Sequence, residues 1–196
     1  MITRLFLIGF FTVVMSHISL TQSQPTGLNV GQQAPDFTAK DQNGLNVNLY
    51  SQLRKGHVIV LFYRGNWCPY CNRQLAQLQD SLYLLEIKGA SIIAITPEEP
   101  AGVRNTIDKT KAAFTIVHDE GLRIMRSYAV AYDVEESVVK RYKQGGIDLT
   151  SINGKNGNVL PVPAVYIVDP KGKIVFKYFN NNYKQRVSVA ELIAQL

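Results

Sequence analysis

Two cysteines occur in this 196-residue chain, and both fall within Trp67-Cys68-Pro69-Tyr70-Cys71. The run before them, residues 57–63 (HVIVLFY), is rich in β-branched residues and too uniformly apolar to have one face in water. It predicts a buried central strand that ends in a turn at Arg64-Gly65-Asn66. From Asn72 an amphipathic segment runs on. Leu75, Leu78, Leu82 and Leu85 recur at three- and four-residue steps, and Gly89 stands where a C-terminal cap belongs. The cysteines are therefore expected on the first turn of a helix fed by a strand. There the helix dipole and the unpaired backbone N–H groups favour a thiolate, and the partner thiol is close enough to close a disulfide. That arrangement suits thiol–disulfide exchange.

Two plainer roles for the pair are weaker. A structural disulfide one helical turn long closes a very short loop and constrains the unfolded chain least. Half a zinc site needs a second pair, and none exists; His57 and His118 would have to converge by chance. Each histidine is expected to be structural or superficial, so no metal and no bound cofactor is expected beyond the redox pair and an external thiol reductant. The formal charge of +6 is scattered, with small groups at 109–111 and 140–143, and lacks the clustering that a nucleic-acid stripe needs.

Residues 1–23 differ from the rest of the chain. Arg4 precedes the apolar run 5–15 (LFLIGFFTVVM), and a polar stretch with small residues comes next, the layout of a secretory signal peptide. Cutting after Ser23 would place Thr21 and Ser23 at the two small-residue positions. An uncleaved anchor is the alternative, but the run is well short of the roughly 20 residues a spanning helix needs. The expected organisation is a signal peptide over 1–23, a linker over 24–30 and one domain over 31–196. The expected location is secreted or periplasmic, with no stable membrane insertion once the leader is cut.

Further along, residues 37–40 and 45–49 flank Asp41-Gln42-Asn43-Gly44, a hairpin signal, and Ser51 is placed to cap a short helical turn. Strands are expected at 90–96, 114–117 and 164–168, the last paired through the 169–172 turn with 173–179. Helices are expected at 100–111, 120–128 and 135–143, and a final one behind the capping box of Ser188 and Glu191. Strand–helix–strand alternation implies parallel pairing with helices on both faces. Residues 132–159 are the least legible, with a Gly- and Asn-rich loop after residue 143. Glu98 and Glu99 are expected on a solvated loop, and Asp36 and Phe37 in architectural roles.

In this order the motifs resemble the alkyl hydroperoxide reductase/thiol-specific antioxidant family, in its peroxiredoxin-like branch. They are Ala34-Pro35-Asp36-Phe37, Phe62-Tyr63-Arg64-Gly65-Asn66-Trp67-Cys68-Pro69-Tyr70-Cys71-Asn72, Leu160-Pro161-Val162-Pro163-Ala164 with Ile167-Val168-Asp169 and Gly172, and the tail Tyr183 to Arg186. The resemblance implies an α/β thioredoxin-like fold, a central mixed sheet flanked by helices, with an N-terminal β-hairpin extension. Laid on the peroxiredoxin pattern F-Y-P-x-x-x-T-x-x-C, Cys71 takes the peroxide-attacking position, Cys68 replaces the threonine, Arg64 replaces the proline, and Pro163 stands where an arginine usually lies. Laid on the thioredoxin pattern W-C-x-x-C with a cis-proline opposite, Trp67, Cys68, Cys71 and Pro163 all fit. In that pattern the backbone beside Pro163 would pair with a bound substrate strand. The acid thioredoxins carry six residues before the first cysteine is absent, because Phe62 is there, which leaves the proton acceptor unidentified. Pro69 and Tyr70 match the glutaredoxin dipeptide and hint at a more oxidising potential.

The resemblance implies two activities. In the first, Cys68, the more exposed thiol, attacks a protein or small-molecule disulfide and Cys71 resolves the mixed disulfide. Trp67 offers a flat exposed docking surface with Pro163, and Arg64 stabilises a thiolate or polarises a peroxide, or is a simple exposed turn residue. In the second, Cys71 reduces hydrogen or alkyl peroxides and Cys68 resolves its sulfenic acid. A binding module with a passive disulfide is the non-enzymatic alternative. The implied partner is a thioredoxin-like or membrane electron donor.

Overall fold

The computed structural model describes residues 24–196; the expected signal peptide lies outside the described residues. A hairpin leads the domain, β1 (Thr38–Lys40) antiparallel to β2 (Asn46–Asn48). Asp41 closes its turn by accepting from the Asn43 and Leu45 N–H groups at 2.8 and 2.9 Å, with Gly44 at φ 79°. The short helix α1 (Leu49–Leu53) is capped by Asn48, whose side chain accepts from the Ser51 N–H. Ser51 is thus the third residue of the helix rather than its cap, because Asn48 reaches it first and is itself anchored on the Asp36 carboxylate at 3.0 Å.

Then come β3 (His57–Phe62), α2 (Pro69–Asp80), α3 (Leu82–Ile87), β4 (Ala90–Thr96), α4 (Pro100–Thr110) and β5 (Thr115–His118). The expected single helix over the leucines is two, because Ser81 leaves helical geometry at φ −108°, ψ 10°. A short 3-10 turn with Leu122 at φ 60° precedes α5 (Arg123–Ser127), which is shorter than expected for the same reason. The least legible region holds β6 (Ala131–Asp133), α6 (Glu136–Gln144), α7 (Leu149–Asn153) and β7 (Val159–Pro161), with β6 and β7 paired antiparallel. The chain closes with β8 (Ala164–Val168), β9 (Ile174–Phe179) and α8 (Val189–Ala194), the last behind the expected capping box.

The central sheet runs β5-β4-β3-β8-β9, parallel among β3, β4 and β5 and antiparallel for β8 and β9. Side chains alternate between two cores. Val58, Val60 and Phe62 of β3 face the hairpin side with Leu49 and Tyr128, while Ile59, Leu61 and Tyr63 face α2 and α4 with Leu75 and Val103. Burial on both faces explains why the strand lacks a polar alternation. Residues 24–30 carry no regular element but lie against the domain: the Gly27 N–H donates to Ala129 O and the Leu28 N–H to the Tyr166 hydroxyl. The N-terminal segment also meets both outer strands. Gln42 donates to Phe114 O and accepts from the Ile116 N–H beside β5, and Gly31 and Gln32 exchange hydrogen bonds with Ile174 at the start of β9.

Candidate active site

The sheet delivers β3 into the turn at Arg64–Trp67, and Cys68 is the N-cap of α2, with Pro69 pre-set for the first helical position. Both thiols are free, and both are buried, Cys68 at 1% and Cys71 at 0% exposure. Cys68, expected to be the more exposed thiol, is as fully covered as Cys71: Trp67 and Tyr70 pack against the core that holds both sulfurs, and Tyr183 meets Tyr70 edge-on.

The two sulfurs are nevertheless unlike. The Cys71 thiol donates to the Cys68 sulfur, the Cys71 N–H also donates to it, and Arg64 and Arg186 lie nearby; together they lower Cys68 from 9.0 to about 6 against the opposing effect of burial. Burial pushes Cys71 upward, and the neighbouring Cys68 sulfur pushes it further. The Arg64 N–H and Arg186 Nη2 each donate to Cys71 Sγ at 3.5 Å.

Arg64 is no simple turn residue. It is 1% exposed, with its guanidinium carbon 4.7 Å from the Trp67 ring centre, 4.3 Å from Tyr183 and 5.6 Å from Tyr142, and it donates to the Tyr142 hydroxyl. Trp67 is likewise not a free flat surface. It is half-buried, tilted against Tyr142 at 5.5 Å, because α6 arches over the turn and covers one side of the indole. Tyr70 meets Tyr183 edge-on at 5.9 Å, and Pro69 is exposed. Pro163 is buried at the start of β8, but the described residues contain no cis peptide bond, so the thioredoxin-type cis-proline is absent. The Val162 N–H beside it already donates to Val130 O at 2.8 Å, so it is not free to hold a substrate strand. A cleft of about 620 Å³ adjoins this cluster, lined by Tyr132, Val138, Arg141, Tyr142 and Tyr183 among others.

Glu98 is the largest departure from expectation. It is fully buried rather than solvated, and Asn66 supplies two donors to its carboxylate, the N–H at 2.9 Å and Nδ2 at 2.7 Å. Burial raises its carboxyl to about 7 despite those donors and Lys109. His118 is structural, as expected, and its Nδ1 donates to the Glu98 carbonyl. Glu98, Tyr142 and Arg186 were not legible as site residues. Arg186 lies in the Tyr183–Arg186 tail that carries the resemblance, whereas nothing in the spacing ties Tyr142 to Arg64 across 78 residues.

A thioredoxin-like sheet with a dithiol at the start of α2 defines a class, the thiol oxidoreductases of this fold. Residues 30–177 match the model of the AhpC/TSA family, and the chain belongs to that family. It is similar to the chloroplastic Peroxiredoxin Q of Arabidopsis thaliana, 28% identical over 194 residues that cover 94% of this chain and 79% of the relative. In fold it is similar to Peroxidoxin BcpB from Mycobacterium tuberculosis, with a TM-score of 0.66 at 15% identity, covering 85% of this chain and 94% of that one. It is also similar to the thioredoxin domain of a thiol-disulfide oxidoreductase from Bacteroides vulgatus, with a TM-score of 0.55 at 21% identity, covering 80% and 93%. The likeness to the two solved structures is one of fold.

Proposed function

We propose that the chain is a thiol–disulfide oxidoreductase in which Cys68 attacks a substrate disulfide and Cys71 resolves the mixed disulfide. The observation that supports this is the opposed acidity of the two sulfurs. Cys68 is the thiolate near neutral pH, and Cys71, which a peroxidase of this family would use first, is held as a thiol. The Cys68–Cys71 pair itself is the redox group, recharged by an external thiol donor. The test is to offer a small disulfide and hydrogen peroxide separately to the reduced protein, Cys68→Ser and Cys71→Ser. Cys71→Ser is expected to accumulate a mixed disulfide at Cys68, visible by mass, and Cys68→Ser to leave the disulfide untouched. Peroxide consumption that survives in Cys68→Ser with dithiothreitol supplied, and vanishes in Cys71→Ser, would instead make Cys71 the peroxidatic residue and Cys68 its resolving partner.

The leader-like layout of residues 1–23 supports work outside the cytoplasm, in a secreted or periplasmic setting. Mass analysis of the protein from a secreting host is expected to give a chain beginning at Gln24; an intact Met1 would count against export by cleavage.

A further inference from the structure

Cys71 can resolve the mixed disulfide only as a thiolate, yet its side chain is wholly buried in α2. Two donors reach its sulfur from outside that helix, the Arg64 N–H and Arg186 Nη2, each at 3.5 Å. The first belongs to a neutral peptide group and the second to a charged guanidinium. We infer that Arg186 is a catalytic residue of the resolving step, its guanidinium holding the negative charge on Cys71 Sγ as that sulfur attacks. The inference rests on the disulfide-exchange reading and gives the Tyr183–Arg186 tail a task within it.

The segment between β9 and α8 fixes Arg186 in this place. Asn180 Oδ1 accepts from the Asn182 N–H at 2.8 Å, Asn180 Nδ2 donates to Gln185 Oε1 at 2.6 Å, and the Gln185 N–H donates to Asn182 O at 3.0 Å. Arg186 Nη1 then donates to the Tyr183 carbonyl and, at 2.7 Å, to the Gln185 carbonyl, which leaves Nη2 for the sulfur. The next residue, Val187, is buried in the same core as Cys71 and Leu75, and Ser188 starts α8 with its capping box. The planar fork is thus oriented by its own tail before it meets the thiol.

Among the described residues the ion pairs are Lys140 with Glu136 and Lys143 with Asp148, so no carboxylate neutralises Arg186 or Arg64. A half-buried cation without a carboxylate partner is available to a transient anion, and Cys71 Sγ is the reacting atom it touches. The charged and titratable groups that bear on Cys71 are Cys68 at the start of α2, Arg64 from the turn, Arg186 from the tail and Tyr63 from β3. While both thiols are reduced, burial and the Cys68 sulfur raise Cys71, whereas Arg186 and the Arg64 N–H lower it. Once Cys68 is bonded to substrate its charge is gone, and the two lowering contacts remain.

In the first step the Cys68 thiolate bonds to one substrate sulfur and the substrate S–S bond breaks. The departing half leaves with the electron pair and takes up the Cys71 proton. The Cys71 thiolate, held by Arg186, then bonds to the Cys68 sulfur. The Cys68–substrate bond breaks, and its electron pair leaves on the second half as a thiolate. Cys68 and Cys71 end as a disulfide, and the substrate has gained two electrons; one thiolate is consumed and one is released, so charge balances.

A dipyridyl disulfide releases one coloured thione on attack and another on resolution, and it carries no carboxylate for Arg186 to bind. It separates the two steps in a single turnover of the reduced protein. In Arg186→Met the pH midpoint of the second phase is expected to rise by about 2 units. Nucleophilicity rises with thiol pKa and offsets about half of that loss, so near pH ~7 the second phase should slow about 10-fold relative to the first. For the same reason the deficit should close in alkaline solution. Arg186→Lys, which keeps the charge, should restore part of the rate at neutral pH. A Met variant with the wild-type ratio and midpoint overturns the proposal. So does a second phase slowed by the same factor at every pH, which assigns Arg186 to holding the tail alone. A wild-type protein with no first phase overturns the disulfide reading itself, and the role of Arg186 falls with it.

Discussion

Replacing Arg64 by Ala is expected to cost about 3 kcal/mol of stability and to move the Cys68 thiol back toward its ordinary 9.0. Arg64 is among the largest fully buried side chains and sits among the rings of Trp67, Tyr142 and Tyr183. Truncation removes these contacts, leaves a cavity and strands the Tyr142 hydroxyl. Burying a guanidinium is itself costly, which offsets part of the gain from cation–π contact. Arg64→Met separates the two contributions. It keeps most of the volume, so it is expected to destabilise by less than half as much while shifting the thiol almost equally. Urea midpoints and the pH profile of thiol alkylation measure the two effects. An Ala variant with wild-type stability and an unshifted thiol would mean that the cage serves neither purpose. Because Arg64 favours the thiolate and hence the reduced pair, its loss should also make the pair more reducing.

The stability of the reduced protein is expected to pass through a trough near pH ~6.5, set by two opposed titrations. Cys68 is lowered from 9.0 to about 6. Between those values the unfolded chain holds a proton that the native one does not, so stability rises with pH there. Glu98 is raised from 4.5 to about 7. In that window the native state holds the extra proton, so stability falls as pH rises, by about 3 kcal/mol. Asp119, also raised by burial, adds to the falling limb. Cys68→Ser should lose the rising limb, and Glu98→Gln most of the falling one. Urea midpoints under reducing conditions below pH ~5, near ~6.5 and near ~8.5, below the range in which the raised Cys71 thiol begins to matter, test this. A profile that climbs steadily from acid to alkaline pH would show that Glu98 is ionised throughout.

The regular parts of this fold announce themselves because a local pattern carries them. The unbroken apolar run of β3 foretells burial on both faces. The leucine period foretells α2, and Ser188 with Glu191 foretells the start of α8. The cysteines are legible for the same reason, since a strand, a turn and a helix start position them locally. The features that were not legible depend on distant partners. Asn48 displaces Ser51 as a cap because Asp36 anchors it from outside the helix. Glu98, beside Glu99 on what reads as a polar loop, is drawn inward by Asn66 and by two glycines 37 residues apart, Gly65 and Gly102, where a Cβ would meet its carboxyl. Trp67 loses its expected exposure to Tyr142, which arrives on α6 in the least patterned stretch. Pro163 has the right residue type and place, but the adjoining N–H is already engaged by Val130.

The side-chain amide of Gln42 does for β5 what another strand's backbone would do, offering one donor to Phe114 O and one acceptor to the Ile116 N–H. A neighbouring copy that tried to lengthen the sheet there would first have to peel the hairpin away. Self-association by strand addition is therefore closed to this side of the molecule. Copies that meet there in solution must do so through helices and loops, without a continuous sheet across the contact.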